Sequence, residues 1–172
     1  HTVDYAFYFT PAQPRWVSGF LNDEPVADPG GGGMIICDGG VVIFINCLAT
    51  RRESLSDTII AGTDGQIHFC ERRGIWEHSP LVEAGEGYGT RYDFSPIANM
   101  PKTLELEDYF YSATREAVDC LREGRESVST GRDGLKALEV ITAMHISHKT
   151  KTQVPLPLAE GLDHVEIRST GQ

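Results

Sequence analysis

Two Asp-Gly turns, each set between apolar runs, constrain this chain more than any other feature. Asp38-Gly39-Gly40 separates Met34–Cys37 from Val41–Leu48, and Thr63-Asp64-Gly65 separates Thr58–Gly62 from Gln66–Glu71. Glycine supplies the positive φ that a tight hairpin turn requires, so each cluster predicts an antiparallel hairpin. Arg15–Phe20 before them and Gly74–His78 after them read as further short strands. Some five or six strands in sequence predict a meander rather than a parallel βαβ sheet.

Helical periodicity is confined to the two ends. His1–Phe9 (HTVDYAFYF) reads as the end of a helix, with His1, Asp4 or Tyr5, and Tyr8 on one stripe. Pro11 and Pro14 stop it, because proline cannot continue the hydrogen-bond ladder. Leu104–Glu123 places Leu106, Phe110, Ala113, Ala117 and Leu121 on one apolar stripe, opposite Arg115, Asp119 and Arg122, and Gly124 fits its C-terminal stop. A last helix, capped by Asp133, runs to about Thr150. It is apolar except for a stripe of Lys136, Glu139, Thr142 and His145, which predicts burial on several sides. An extended V-P-L-P-L stretch, Val154–Leu158, follows. The expectation is one α+β domain over residues 1–172: an open, mainly antiparallel β-sheet with helices packed on one face.

Composition removes several function classes. At 172 residues the chain is near the roughly 150 expected per domain. Its longest apolar run, Val41–Ile45, is strand-sized, well short of the roughly 18 residues of a membrane helix. A net charge of −10 argues against a nucleic-acid partner and opposes binding to anionic membranes. Cys37, Cys47, Cys70 and Cys120 show neither C-x-x-C nor zinc-ligand spacing. They read as reduced small hydrophobes of a cytoplasmic protein. His68 and His78 lie in strand patterns and read as structural; with His145, His148 and His164 they form no metal cluster.

Pro29-Gly30-Gly31-Gly32-Gly33 resembles a phosphate cradle only superficially. Met34-Ile35-Ile36, a strand, follows it where a nucleotide loop needs a helix N-terminus. It reads as a flexible connection into the strand. No G-x-G-x-x-G turn leads into a helix either, so the chain alone is expected to bind no NAD(H). The chain begins at His1 rather than Met, with no signal peptide ahead of it, and is expected to be a piece of something larger. Ser79–Thr103, with Gly85, Gly87, Gly89, Pro96 and Pro101, shows no clear period. It is expected to loop over the sheet edge, holding one short strand at most; a substrate lid is the alternative.

Taken together, these segments resemble one family. Gly131–Leu158 (GRDGLKALEVITAMHISHKTKTQVPLPL) is similar to the closing helix of the Gfo/Idh/MocA oxidoreductases, relatives of glucose–fructose oxidoreductase and inositol dehydrogenase. In that family D-G-L, an A-L-x-V helix, a Ser and V-x-L-P follow one another. Asp28 and Gly39–Phe44, followed by Ile60–Ile67 with its G-T-x-G turn, resemble the family's central hairpins. His1-Thr2-Val3-Asp4 resembles the H-x-x-D that continues its D-x-G-x-H helix motif.

The resemblance implies a two-domain parent. Its N-terminal Rossmann domain, absent here, binds NAD or NADP and carries a Lys, usually in E-K-P. The C-terminal half, a dihydrodipicolinate-reductase-like open sheet, covers a sugar-like or polyol substrate and builds a homodimer or homotetramer. His1 matches the family's catalytic His, whose partner Asp would lie four residues earlier. Imidazole can take a hydroxyl proton near neutral pH, which suits alcohol oxidation. Asp4, Arg91 and Tyr92 are candidate substrate contacts, while Tyr5 and Tyr8 are expected in the core. A non-catalytic binding or regulatory module of the same fold, or a domain of an NAD-dependent glycoside hydrolase, is the alternative function. Val41, Ile43 and Ile45 share one face of a strand, and Val42 and Phe44 the other. Both sets are apolar, so self-association through the sheet is expected.

Overall fold

The computed structural model describes residues 1–22, 30–47, 57–70, 73–85, 87, 89–96, 106–159 and 161. Asp28, Pro29, Leu48, Glu71, Tyr88, Pro101, Leu104 and His164 lie outside them, as does part of the segment read as irregular. The chain groups into two compact units: residues 1–50 with 120–172, and residues 51–119.

The first unit is built on β1 (Pro14–Leu21), β2 (Gly31–Cys37) and β3 (Val42–Cys47), an antiparallel meander in the order β3-β2-β1. A two-residue strand, β9 (Val154–Pro155), joins the outer edge of β1. Asp38–Gly40 form a single 3-10 turn between β2 and β3, with Gly39 at φ 65° and Gly40 at φ 80°. Those are the left-handed conformations for which the Asp-Gly pair is suited. Asp38 also anchors the start of β1: its carboxylate accepts from the Gln13 N–H at 2.9 Å and pairs with Arg15 at 3.1 Å.

Helices α1 (Thr2–Tyr8) and α3 (Gly131–Thr150) pack on one face of this sheet. Val17 and Ile35 from the strands meet Val140 and Ala143 from α3 in a core with no solvent exposure, and Val3 and Phe7 of α1 complete it. The helix approaches very closely. A Cβ added to Gly19 would stand 2.5 Å from the Met144 carbonyl oxygen, so only glycine fits there. Ala137, Val140, Thr142, Ala143, Met144 and Ser147 of α3 are buried, and Thr142 lies on the side of the helix away from Val140, in keeping with burial on several sides. Leu135 and Leu138, nearer the N-terminal end, are exposed.

The α3 N-terminus is capped by Thr130, not by Asp133. The Thr130 side chain accepts from the Asp133 N–H, and the Asp133 carboxylate accepts from the Thr130 N–H at 2.8 Å. Asp133 is therefore the third-position partner in a reciprocal capping box.

Gly31, Gly32 and Gly33 correct a second expectation. They are strand residues, with register Gly31↔Cys47, Gly32↔Asn46 and Gly33↔Ile45. A Cβ at Gly33 would meet the Ser18 carbonyl oxygen at 2.5 Å, and one at Gly32 would run into the Ile45 carbonyl oxygen. The run permits close strand approach rather than a flexible connection.

The second unit is also antiparallel, in the order β4 (Thr58–Ala61), β5 (Gly65–Cys70), β6 (Ile75–Glu83) and β7 (Thr90–Tyr92), with β8 (Ser95–Pro96) paired to β6. The meander expectation holds, but the described strands form two sheets. Two short strands occur where an irregular loop with at most one was expected. Gly85, Gly87 and Gly89, all at positive φ, make the turn between β6 and β7, and such a turn carries no hydrophobic period.

Helix α2 (Leu106–Glu123) forms as expected and stops at Gly124, φ 64°. Its predicted apolar stripe is not buried: Phe110, Ala113, Ala117 and Leu121 are exposed. Periodicity identifies the helix but says nothing of what covers it.

Candidate functional site

Helix α1 separates its residues sharply by face. Val3 and Phe7 are 5% and 6% exposed and lock into the core, with the Lys136 ammonium 4.6 Å from the Phe7 ring centroid. At about 100° per residue, His1, Asp4, Tyr5 and Tyr8 fall on the opposite face. His1, at the N-cap, is exposed and makes no side-chain cap. Asp4 is half-buried in the first turn. Tyr5 and Tyr8 are 41% and 71% exposed, which corrects the core expectation for both. A seven-residue helix buries one narrow stripe, and the apolar Val3 and Phe7 take it. That alternative stripe was the sequence signal against the tyrosines.

Arg91 and Tyr92 belong to the second unit. Both lie on β7, in register with Val82 and Leu81 of β6. Arg91 is exposed; Tyr92 is half-buried, its ring 6.0 Å from that of Phe94. The structure thus pairs His1 with Asp4 on α1 and Arg91 with Tyr92 on β7.

The histidines outside α1 that the structure describes hold structure together where their bonds are seen. His68 stands between two carboxylates, with Nε2 2.7 Å from Asp57 Oδ1 and Nδ1 3.6 Å from Glu77 Oε2. Asp57 also meets Arg73 at 3.6 Å, so the group ties the start of β4 to β5 and β6. His148 Nδ1 accepts from the Leu21 N–H at 3.0 Å. Beside it, Ser147 Oγ accepts from the Gly19 N–H at 2.9 Å and donates to the Thr152 carbonyl at 2.7 Å. β9 pairs with β1 at Trp16 and Val17, the Leu156 N–H adds a bond to the Arg15 carbonyl, and α3 side chains take the Gly19 and Leu21 N–H groups further along that edge.

Four residues of the closing motif have structural roles: Asp133 completes the Thr130 capping box, Ser147 bonds the edge of β1, and Val154 and Leu156 enter the core. No group of three His, Cys, Asp or Glu among the described residues could hold a metal ion.

None of the four cysteines is in a disulfide. Burial raises the Cys37 thiol pKa, and neighbouring Asp38 raises it further against a smaller opposing effect of Lys136. Cys37 is accordingly an unreactive core residue. The glycine run cannot cradle a phosphate, because its backbone is held in the β1 and β3 ladders.

No known family profile and no curated protein sequence matches this chain. Solved structures do. An NAD-binding protein from Listeria innocua is 20% identical with a TM-score of 0.65; the match covers 95% of this chain and 47% of that one. An oxidoreductase domain protein from Kribbella flavida is 18% identical with a TM-score of 0.69, covering 91% and 48%. Levoglucosan dehydrogenase, in complex with NADH and L-sorbose, is 16% identical with a TM-score of 0.67, again covering 91% and 48%. This chain thus has the fold of one part of such proteins and spans about half their length.

Proposed function

We propose that this chain is the substrate-side, C-terminal domain of a Gfo/Idh/MocA-type oxidoreductase acting on a sugar, polyol or related hydroxyl compound. The observation that carries this reading is the exposed face of α1, which presents His1 and Asp4 on a helix fixed to the core by Val3 and Phe7. The fold shared with half of several NAD-binding and oxidoreductase proteins supports it.

His1 accepts the proton of the substrate hydroxyl, and Asp4, one turn on, contacts the substrate beside it. NAD or NADP is held by residues outside this chain. The parent is a cytoplasmic homodimer or homotetramer joined through the first unit's sheet.

The face of that sheet opposite the helices supports the last point. Trp16, Phe20, Val42 and Phe44 are exposed on it, and the register places Met34 and Ile36 between them. An apolar surface of this kind marks an interaction site.

The test is an assay of the full-length protein against a panel of sugars and polyols with NAD and NADP, reading net reduced cofactor. Net reduction with a cyclic sugar or polyol supports the reading. Cleavage of a glycoside without net reduction assigns the protein to glycoside hydrolysis instead, and no turnover of any panel member assigns it to a binding or regulatory role.

A further inference from the structure

Helix α1 is short, and its hold on the core is narrow. It has seven residues, well below the about 12–15 that make a helix stable on its own, so tertiary contacts keep it in place. Its buried anchors are Val3 and Phe7. Helical geometry sets residues at that spacing about 40° apart around the axis and about 6 Å apart along it. Anchors so nearly in line fix where the axis lies and resist a roll about that line poorly.

Two contacts lie to the side of the line. The Cys47 thiol on β3 stands 4.0 Å from the Thr2 hydroxyl, and a thiol is a weak donor. The Lys136 ammonium on α3 stands 4.6 Å from the centre of the Phe7 ring, within cation–π reach. Lys136 is half-buried and Phe7 is buried, so this charge meets a ring face with little water about it. A cation on the ring face fixes the plane of the ring and, through its bond to the backbone, the roll of the helix.

His1 is the N-cap residue of α1 and turns with it. Side-chain tips lie about 5–6 Å from a helix axis, so a roll of about 10° carries one through about 1 Å. Misplacement by about 1 Å can slow a reaction about a hundredfold.

We propose that Lys136 is a positioning residue for His1: its ammonium on the Phe7 ring sets the roll of α1 and with it the reach of the imidazole. The proposal rests on the reading of His1 as the proton acceptor, and it adds a residue from another element to that reading.

Two measurements on the full-length protein test it. In the first, without ligand, NMR with ¹³C-labelled lysine reads the Lys136 ε-methylene protons. The Phe7 ring current shifts them upfield; unshifted protons overturn the contact and the proposal. The second is steady-state kinetics with the sugar or polyol of the panel that turns over fastest. Lys136→Met keeps the apolar stem and removes the charge, whereas Lys136→Arg keeps a cation over the ring. Lys136→Met should lower kcat by about threefold to thirtyfold with KM within about twofold, and Lys136→Arg should restore kcat to within about twofold. In a His1→Asn protein, Lys136→Met should change kcat no further, because a residue acting through His1 has no effect once His1 is gone.

An unchanged kcat in Lys136→Met beside an impaired His1→Asn overturns the positioning role alone. So does a fall that arginine does not rescue, or one that persists in the His1→Asn background; either makes Lys136 a general support of the fold. Wild-type turnover in His1→Asn, or no turnover of any panel member, refutes the proton-accepting role, and the positioning role falls with it.

Discussion

Single residues carry much of this fold, and three of them make it testable. Gly19 lets the α3 backbone sit on β1, with the Met144 oxygen where a Cβ would be. Gly19→Ala should cost about 1–3 kcal/mol, the usual range for overpacking, read as a lowered denaturation midpoint. Ser147 accepts the Gly19 N–H at the edge of the sheet. Ser147→Ala strands that donor and should cost about 1–3 kcal/mol in the same measurement.

Asp133 gives a pH dependence of known sign. Hydrogen bonds from the Thr130 hydroxyl and Thr130 N–H hold its carboxyl below the ordinary carboxylate value. A lowered folded-state pKa stabilises the protein above the unfolded pKa, and that stability disappears as pH falls through the folded one. The N-terminal turn of α3 should therefore fray at acid pH, visible as faster amide exchange at Asp133 and Gly134. Asp133→Asn should flatten this dependence. A profile unchanged by that substitution would count against the capping box.

At the scale of elements, the sequence is legible where a local rule decides the outcome. Asp38-Gly39-Gly40 announces its hairpin because positive φ is a property of single residues. Gly124 ends α2 for the same reason. It is illegible where a partner decides. The stripe of α2 reads as buried, yet Phe110 and Leu121 are exposed. Gly31–Gly33 read as a connection because glycine disfavours strands, and close approach of β1 and β3 overrides that preference. Tyr5 and Tyr8 read as core because a stripe shows a helix face without saying which of two faces turns inward.

The same distinction applies to the site. A short motif singles out His1 and Asp4 as candidates, whereas the exposure of the tyrosines needed the packing of Val3 and Phe7. The second unit offers its own check. Asp57, His68 and Glu77 tie three strands through side chains that are partly exposed. A double-mutant cycle between Asp57 and His68 should return a coupling of about 0.2–1 kcal/mol, as for other exposed pairs. Zero coupling would make the contact incidental.

For the whole molecule, two surfaces divide the work. The helix-covered face of the first sheet holds α1 in place, and the proposed self-association uses the opposite face, where Trp16, Phe20, Val42 and Phe44 are exposed. Phe44, 76% exposed on the edge strand β3, contributes little to folding. Phe44→Glu should convert an associated species to a monomer in sedimentation, with the thermal midpoint of the monomer nearly unchanged. A wild-type protein that stays monomeric at high concentration would contradict association through this face.

The central claim is that the exposed face of α1 does the chemistry, with His1 taking the proton. The most direct test is the rate of cofactor reduction by full-length His1→Asn at saturating substrate, beside the wild type. Loss of a general base predicts a fall in kcat of about 10²–10⁴-fold with KM little changed. A His1→Asn protein that turns over at the wild-type rate would show that the proton leaves by another route, and that this helix serves binding alone.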